Sequence, residues 1–206
     1  MSIEPTTRTP RAQRRLLAKS ASVALGMAAF LLAAGLILVA GRSNARAQQE
    51  ASSGKLRLAT SAFKVGGAIP KKFTCDGADT SPALDWNDPP PGTRSFALIA
   101  DDPDAPGGTF THWLVYDLPA GQRRLPEGIA RGGEIQGGGL QGVNDFQKTG
   151  YAGPCPPPGK AHRYYFRLYA LDGKVNLRPA ASRQELEPAL QGHVLAHSEI
   201  MGKYQR

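Results

Sequence analysis

Three segments of alternating apolar residues constrain the fold of this chain most strongly. They span residues 95–102, 111–118 and 162–171. Because successive side chains of a β-strand point to opposite faces, every second residue of a strand shares one face. The alternation therefore predicts three strands, and the 24 Gly and 17 Pro of the chain favour many short strands and turns. The apolar residues expected on the shared faces are Phe96, Leu98 and Ala100, then Leu114, Tyr116 and Leu118, then Tyr164, Phe166 and Leu168.

A polar residue occupies one end of each predicted apolar face. Asp102 ends the first face, His112 begins the second, and His162 begins the third. The turn at 103–110 contains two prolines and two glycines, which favour a hairpin that would place Asp102 beside His112. His162 joins them if its strand begins at the same edge. The sequence thus predicts an acid and two histidines at a pocket rim; the alternative is a turn-forming Asp and two hydrogen-bonded core histidines.

The formal net charge of +8 is concentrated at the N-terminus. Residues 1–47 hold seven Lys/Arg and one acid, whereas the remaining residues hold 18 Lys/Arg and 16 Asp/Glu. That larger part is therefore almost neutral, and it contains no basic run interleaved with aromatic residues. These two observations argue against nucleic acid as a partner.

The N-terminal segment has the order of an export signal. Five basic residues within 8–19 precede an uncharged stretch at 20–41, which is long enough to span a bilayer, and Ala-Arg-Ala follows at 45–47. We therefore predict a signal peptide or an N-terminal membrane anchor over 1–47, a linker over 48–54 and a domain over 55–206. The domain is expected in the periplasm or outside the cell, or anchored to the inner membrane by residues 20–41. The segment 13–19 resembles a twin-arginine signal, and the Sec route is the alternative.

Further elements follow from local patterns. Short strands are predicted over 55–59 and 83–86, and ordered loops over the glycine-rich segment 119–151. Ser182 and Glu185 have the spacing of a capping box, which predicts a helix over 182–190. A final helix is predicted over 192–204.

Several chemistries lack their motifs in this sequence. The GxSxG motif of many serine hydrolases and the Walker loop are absent. His193 and His197 have the spacing of a zinc protease but lack its glutamate, so no metal and no cofactor is predicted. Cys75 and Cys155 are the two cysteines, and an exported domain permits one disulfide between them.

Two longer motifs carry a family resemblance. Asp-Pro-Asp-Ala-Pro at 102–106 is followed by His112-Trp113, and Pro-Pro-Pro-Gly-Lys-Ala-His-Arg-Tyr spans 156–164. These segments resemble the two signature regions of the phosphatidylethanolamine-binding protein family, and more narrowly its bacterial Raf-kinase-inhibitor-like branch. The resemblance covers about residues 55–204. It implies a mainly β fold, a β-sandwich-like core of antiparallel sheets with a few peripheral and C-terminal helices.

The resemblance also implies a binding site. In such proteins the matching residues line a small pocket for phosphate or phosphorylated headgroups; here they are Asp102, Pro106, His112 and His162, with Tyr164 beside them and backbone from Gly153 to Cys155. Ring N–H groups of the histidines are expected to donate to the anion. The resemblance further suggests a homodimer and places Cys75 near Cys155, which predicts their disulfide; two free thiols are the alternative.

These expectations favour a binding protein over an enzyme, since the site needs no nucleophile. A role as inhibitor of a protease or of another partner is compatible with it. Kinase inhibition is not implied, because export would separate the domain from cytosolic kinases. The alternative function is a hydrolase or lyase that uses His112 or His162 as a general base, oriented by Asp102.

Overall fold

A computed structural model describes residues 55–206 of the chain. The predictions for residues 1–47 and 48–54 lie outside the described residues. Among the residues that are described, no helix has the length and apolar character needed to cross a membrane.

Two antiparallel sheets make up most of the fold. A three-stranded sheet has the order β1-β2-β5, and a five-stranded sheet has the order β6-β4-β3-β7-β8. The strands are β1 Arg57–Ala59, β2 Leu84–Asn87, β3 Ser95–Asp102, β4 Phe110–Pro119, β5 Arg124–Leu125, β6 Leu140–Gln141, β7 His162–Leu171 and β8 Val194–Tyr204. A 3-10 helix spans Lys71–Phe73 and the helix α1 spans Arg183–Leu190.

The main core contains side chains from both sheets. Buried residues of the small sheet, such as Leu84 and Trp86, share one apolar cluster with Phe96 and Phe166 of the large sheet. On its other face the large sheet packs against α1 through Leu186 and through residues of β3 and β4. The predicted mainly β, sandwich-like fold is therefore confirmed.

Most of the predicted elements are present. β3 pairs with both β4 and β7, and β3 and β4 form the expected hairpin. The helix α1 begins after Ser182, whose side chain accepts from the Glu185 N–H while the Glu185 carboxylate accepts from the Ser182 N–H. Within the predicted loop segment 119–151 the structure adds two short strands, β5 and β6.

The prediction of a helix over 192–204 is wrong. This segment forms β8, which pairs antiparallel with the whole of β7 from His162 to Leu171. Without β8, β7 would present a long edge of unpaired N–H and C=O groups, so pairing outweighs local helix propensity. Gly202 also suits the strand, because a Cβ there would collide with the Ile69 side chain.

The predicted alignment of His112, Leu114, Tyr116 and Leu118 on one face of β4 is also wrong, since Leu118 lies in the main core and Leu114 and Tyr116 do not. The register pairs Asp101 with Thr111 but Ala100 with Trp113, so β4 carries one extra residue at His112. A bulge of this kind changes the direction of the side chains around it. Leu114 and Tyr116 therefore face α1, whereas His112 and Trp113 lie on the side of the main core.

Candidate functional site

The ends of β3, β4 and β7 surround a cavity of about 160 Å³. Asp102, His112 and His162 all line it; strand alternation accounts for Asp102 and His162, and the bulge of β4 brings in His112. The complete lining also includes Ala105, Pro106, Phe110, Phe146, Cys155, Pro156 and Pro157. A larger hollow of about 370 Å³ beside Trp86 contains no histidine. The cavity between the three strand ends is therefore the candidate site.

Asp102 and His162 form a buried pair in this cavity. The Nδ1 of His162 lies 2.8 Å from Oδ2 of Asp102, and both residues are 3% exposed. The other carboxylate oxygen accepts from the Asp104 N–H at 2.8 Å. An ionised carboxylate only accepts, so Nδ1 carries the ring hydrogen. Asp102 is thus fixed by its own turn and orients His162.

The second histidine is held by backbone instead of by an acid. The Nδ1–H of His112 donates to the carbonyl oxygen of Ala152 at 2.7 Å. Aromatic rings surround His112, with centroid distances of 5.4 Å to Phe110, 5.5 Å to Phe146 and 5.2 Å to Tyr164. Burial lowers the pKa of His112, and the bond to Ala152 opposes that effect only in part. This environment favours a neutral ring.

Both rings therefore use their Nδ1–H inside the protein. A neutral imidazole has one N–H, so Nε2 of each neutral ring carries a lone pair and accepts. Nε2 is also the nitrogen that remains for a ligand in the cavity. The expectation that ring N–H groups face the anion thus holds only for a ring that has taken up a second proton.

Tyr164 lies against His112 rather than in the cavity lining. It is 2% exposed, and its hydroxyl has no hydrogen-bond partner within residues 55–206. Burial, followed by the charge of Asp102, raises the pKa of Tyr164 well above its usual range. The hydroxyl therefore keeps its proton, close to Asp102 and to the backbone of Cys155.

The loop from Gly153 to Cys155 is held in place from two sides. The Gly153 N–H donates to Asp79 at 2.6 Å, and a Cβ at Gly153 would collide with the carbonyl oxygen of Phe73. Cys155 forms a disulfide with Cys75, with the two Cα atoms 5.4 Å apart. The predicted disulfide is thus present in the structure, and it fixes one wall of the cavity.

The acidic residues beside Asp102 do not form a cation site. Asp101 faces the other side of β3, and Asp104 accepts three hydrogen bonds from Arg163, which lowers the pKa of Asp104. Over the described range 55–206, no three His, Cys, Asp or Glu side chains are grouped closely enough to hold a metal ion.

Sequence reasoning assigned Pro106 to the pocket but did not assign its aromatic wall. Phe110 and Phe146 both line the cavity, and their rings contact each other with centroids 4.7 Å apart. Phe110 lies two residues before His112, at the end of the predicted turn 103–110, and extending the predicted strand by one residue would have placed it on the face of His112. Phe146 lies in the segment 119–151, whose path no periodic pattern specifies.

Comparison with known proteins places this fold in a defined class. The two antiparallel sheets define a mainly β protein, and the model of the phosphatidylethanolamine-binding protein family matches residues 59–205. The chain is a member of the phosphatidylethanolamine-binding protein family.

Relatives and solved structures agree with this membership. A UPF0098 protein of Aquifex aeolicus is 51% identical over 146 residues, which cover 70% of this chain and 85% of the relative. The crystal structure of a phosphatidylethanolamine-binding protein homologue from Chlamydia trachomatis has a TM-score of 0.68 at 38% identity, over 75% of this chain and 99% of that one. Escherichia coli YbcL, described as a member of the mammalian family, gives a TM-score of 0.68 at 33% identity, over 74% and 99% of the two chains.

Proposed function

We propose that this family member is an exported binding protein that holds a small phosphate-type anion or phosphorylated headgroup between Asp102, His112 and His162. The observation that carries the proposal is the buried Asp102–His162 pair at a cavity that a second buried histidine also lines. Two imidazoles converging on one small cavity are suited to an oxyanion once they are protonated.

The charge balance supports this assignment. Asp102 alone would repel an anion, but its two carboxylate oxygens are occupied by Nδ1–H of His162 and by the Asp104 N–H. Nε2 of His162 is left for a ligand, and a protonated ring would donate a charge-assisted hydrogen bond from it. Hydrogen bonds of this charge-assisted type are shorter and roughly twice as strong as neutral ones.

The size and walls of the cavity support a small ligand. Its volume of about 160 Å³ lies below the range of roughly 300–1,000 Å³ for pockets that take drug-sized molecules. Pro106, Phe110 and Phe146 give it an apolar wall, which excludes water and strengthens polar contacts inside. An oxyanion with a short substituent fits these walls better than a long polar chain.

Export is proposed from two independent features. The basic, apolar and Ala-x-Ala order of residues 1–47 favours a signal peptide or an anchor in the inner membrane. The Cys75–Cys155 disulfide favours an oxidising compartment, since disulfides are rare in the cytosol of most organisms. Both features support a domain in the periplasm or outside the cell.

A hydrolase or lyase is the second candidate, and one observation favours it. The neutral ring of His112 leaves Nε2 free to accept a proton, as a general base must. No serine, threonine or free thiol lines the cavity within the described residues, because Cys155 is in the disulfide. An attacking water would therefore be required.

Calorimetry of the full chain with inorganic phosphate and phosphoethanolamine tests the binding function. His112→Ala and His162→Ala are each expected to cost about 1.5–3 kcal/mol of binding, the range for hydrogen bonds to charged groups. His197→Ala, on β8 opposite Tyr169, is the matched control and should bind normally. Binding that does not respond to either pocket histidine would contradict the proposed site, and turnover of phosphoesters or esters in a parallel screen would favour the enzyme.

A further inference from the structure

The two cysteines of the disulfide differ in their exposure. Cys75 is exposed to solvent, whereas Cys155 is half-buried and lines the cavity at the ends of β3, β4 and β7. Thiol–disulfide exchange begins when a thiolate attacks one sulfur of the bond, and its rate depends on which sulfur can be reached. Exposed disulfides are accordingly more labile than buried ones. A thiolate from solvent therefore reaches Cys75 more readily than Cys155.

A cation lies beside the sulfur of the less accessible cysteine. The Nη1 of Arg206 is 3.8 Å from Sγ of Cys155, and the Nε of Arg206 pairs with Asp76 at 3.1 Å. The Arg206 backbone is held as well, since its carbonyl oxygen accepts from the Gly159 N–H at 3.2 Å. A guanidinium next to a sulfur stabilises the thiolate, and a sulfur that departs as a stabilised thiolate departs faster. Cys155 is therefore the favoured leaving group.

We propose that Cys75 is a site of thiol modification, at which a small thiol exchanges with the disulfide and releases Cys155 as a thiolate. The external thiolate forms a new S–S bond to Sγ of Cys75. The Cys75–Cys155 bond breaks, and its electron pair goes to Sγ of Cys155. One disulfide replaces another, so this step needs no oxidant or reductant beyond the thiol itself. The proposal is independent of the proposed anion-binding function.

Hydrogen bonds that do not involve sulfur hold the two cysteine segments together. The Cys75 N–H donates to the Pro154 carbonyl oxygen at 3.1 Å, and the Gly153 N–H donates to the Asp79 carboxylate at 2.6 Å. Both bonds connect the segment around Cys75 to the loop that ends at Cys155. Because these contacts remain when the S–S bond opens, the exchange takes place on the folded protein and does not require unfolding.

The exchange changes the chemistry of the cavity. In the disulfide form no serine, threonine or free thiol lines it among the residues that the structure describes. Opening of the bond leaves the Cys155 sulfur as a thiolate in a lining that also contains His112 and His162. A thiolate is a strong nucleophile. The intact disulfide thus masks a reactive group at the cavity, and the exposed Cys75 is the position from which it is released.

Peptide mass mapping after treatment with glutathione tests the proposal. The full chain is incubated with glutathione without denaturant, and iodoacetamide is added at successive times to trap free thiols. The early product should carry glutathione on Cys75 and the alkyl group on Cys155. Glutathione on Cys155 with Cys75 alkylated would overturn the proposal. Exchange that starts only after urea is added would overturn it as well, because the native protein would then be unreactive.

Two matched variants test the part played by the cation. Arg206→Gln should slow the formation of the mixed disulfide by about threefold, because the departing thiolate loses its neighbouring guanidinium. A purely structural Arg206 predicts the opposite result, since a loosened segment would expose the disulfide and speed up the exchange. Arg124→Gln makes the same change of charge at a residue that pairs with Asp85 in the small sheet, and its rate should equal that of the unmodified chain.

The two measurements are independent of each other. A rate in Arg206→Gln that equals or exceeds that of the unmodified chain would overturn the stabilised departure of Cys155. The position of glutathione is determined in the unmodified chain, so the site of attack is tested even if the variant is unstable.

Discussion

Asp101 and Asp102 are adjacent on β3 and both buried, yet their carboxylates serve opposite faces of the large sheet. Asp101 accepts from Arg167 of β7 and, at 2.9 Å, from Arg183 of α1. Asp102 contacts no Arg or Lys within the described residues and pairs with His162 at 2.8 Å. Asp101 therefore connects α1 to the large sheet, whereas Asp102 contacts the imidazole ring of His162.

This difference predicts separate effects for two matched variants. Asp102→Asn keeps the side-chain shape but removes the negative charge beside Nδ1 of His162, so the pH profile of phosphate binding should change. Asp101→Asn should lower the free energy of unfolding, because it leaves two arginines without their shared acid, and should keep the pH profile of binding. Calorimetry across pH and urea denaturation measure the two effects. An unchanged pH profile with lower stability in Asp102→Asn would assign Asp102 a purely structural role.

His112 predicts a pH dependence of stability without any ligand. Its folded pKa lies below the unfolded value of about 6.5, so the unfolded chain binds a proton first as pH falls. The stability that comes from the neutral His112 ring is fully present above about pH 6.5. As pH falls from there towards the lower folded pKa, the free energy of unfolding decreases by at most about 1.4 kcal/mol per pH unit. Urea denaturation from mildly acidic to neutral pH measures this slope. His112→Gln should reduce the slope, and an identical slope in the variant would contradict the assignment.

Tyr164 predicts an unusual response to a conservative change. Because its buried hydroxyl has no partner, Tyr164→Phe should leave the free energy of unfolding unchanged or raise it by about 1 kcal/mol. Tyr151 is the matched control, since its buried hydroxyl donates to the Phe73 carbonyl at 2.7 Å. Tyr151→Phe should therefore lower the free energy of unfolding by about 1–2 kcal/mol. Denaturation of the two variants side by side would reveal an unrecognised partner of Tyr164 if both lose stability equally.

The disulfide predicts both a mass and a stability change. Cys75 and Cys155 are 80 residues apart, and closing a loop of this length contributes about 4 kcal/mol in the chain-entropy treatment. Replacing both cysteines by alanine should lower the free energy of unfolding by up to that amount. Intact mass spectrometry of the exported protein without reductant should show a deficit of about 2 Da relative to the reduced chain. The reduced mass would show that the thiols are free.

Export predicts the behaviour of a fusion protein. Residues 1–60 joined to a reporter that is active only outside the cytoplasm should give active reporter, because the segment has the charge and hydropathy order of an export signal. Replacing Arg14 and Arg15 by Lys should abolish activity only if the twin-arginine route is used. A silent but stably expressed fusion would contradict export.

The sequence identifies those parts of the fold that depend on local periodicity. Even residues of β3 and β7 face the main core as expected, and the Ser182–Glu185 capping box begins α1. The strand ends then bring Asp102 and His162 together because β3 and β7 are neighbours in the sheet. The choice of His162 over His112 as partner of Asp102 depends on side-chain geometry that strand alternation does not specify.

Other parts of the molecule depend on long-range contacts. The segment 192–204 forms β8 because β7 has an unpaired edge. The local sequence of this segment does not indicate that edge. Phe146 reaches the cavity along a path set by Asn144, whose amide donates to the Gly150 carbonyl while its side-chain oxygen accepts from the Phe146 N–H. These contacts exist only in the folded chain, so the aromatic wall could not be derived from spacing.

The extra residue of β4 has a further consequence for how the site could be altered. In a regular strand His112 and Trp113 would point to opposite sides, and the bulge is what allows both to lie on the side of the main core. Deleting Thr111 would remove the surplus residue while keeping every side chain that contacts the cavity. The strand could then regain its regular pleat, with His112 turned toward α1 and Asp102 still paired with His162. Deleting this single residue of β4 would therefore remove His112 from the cavity, although every residue that lines the cavity would still be present in the sequence.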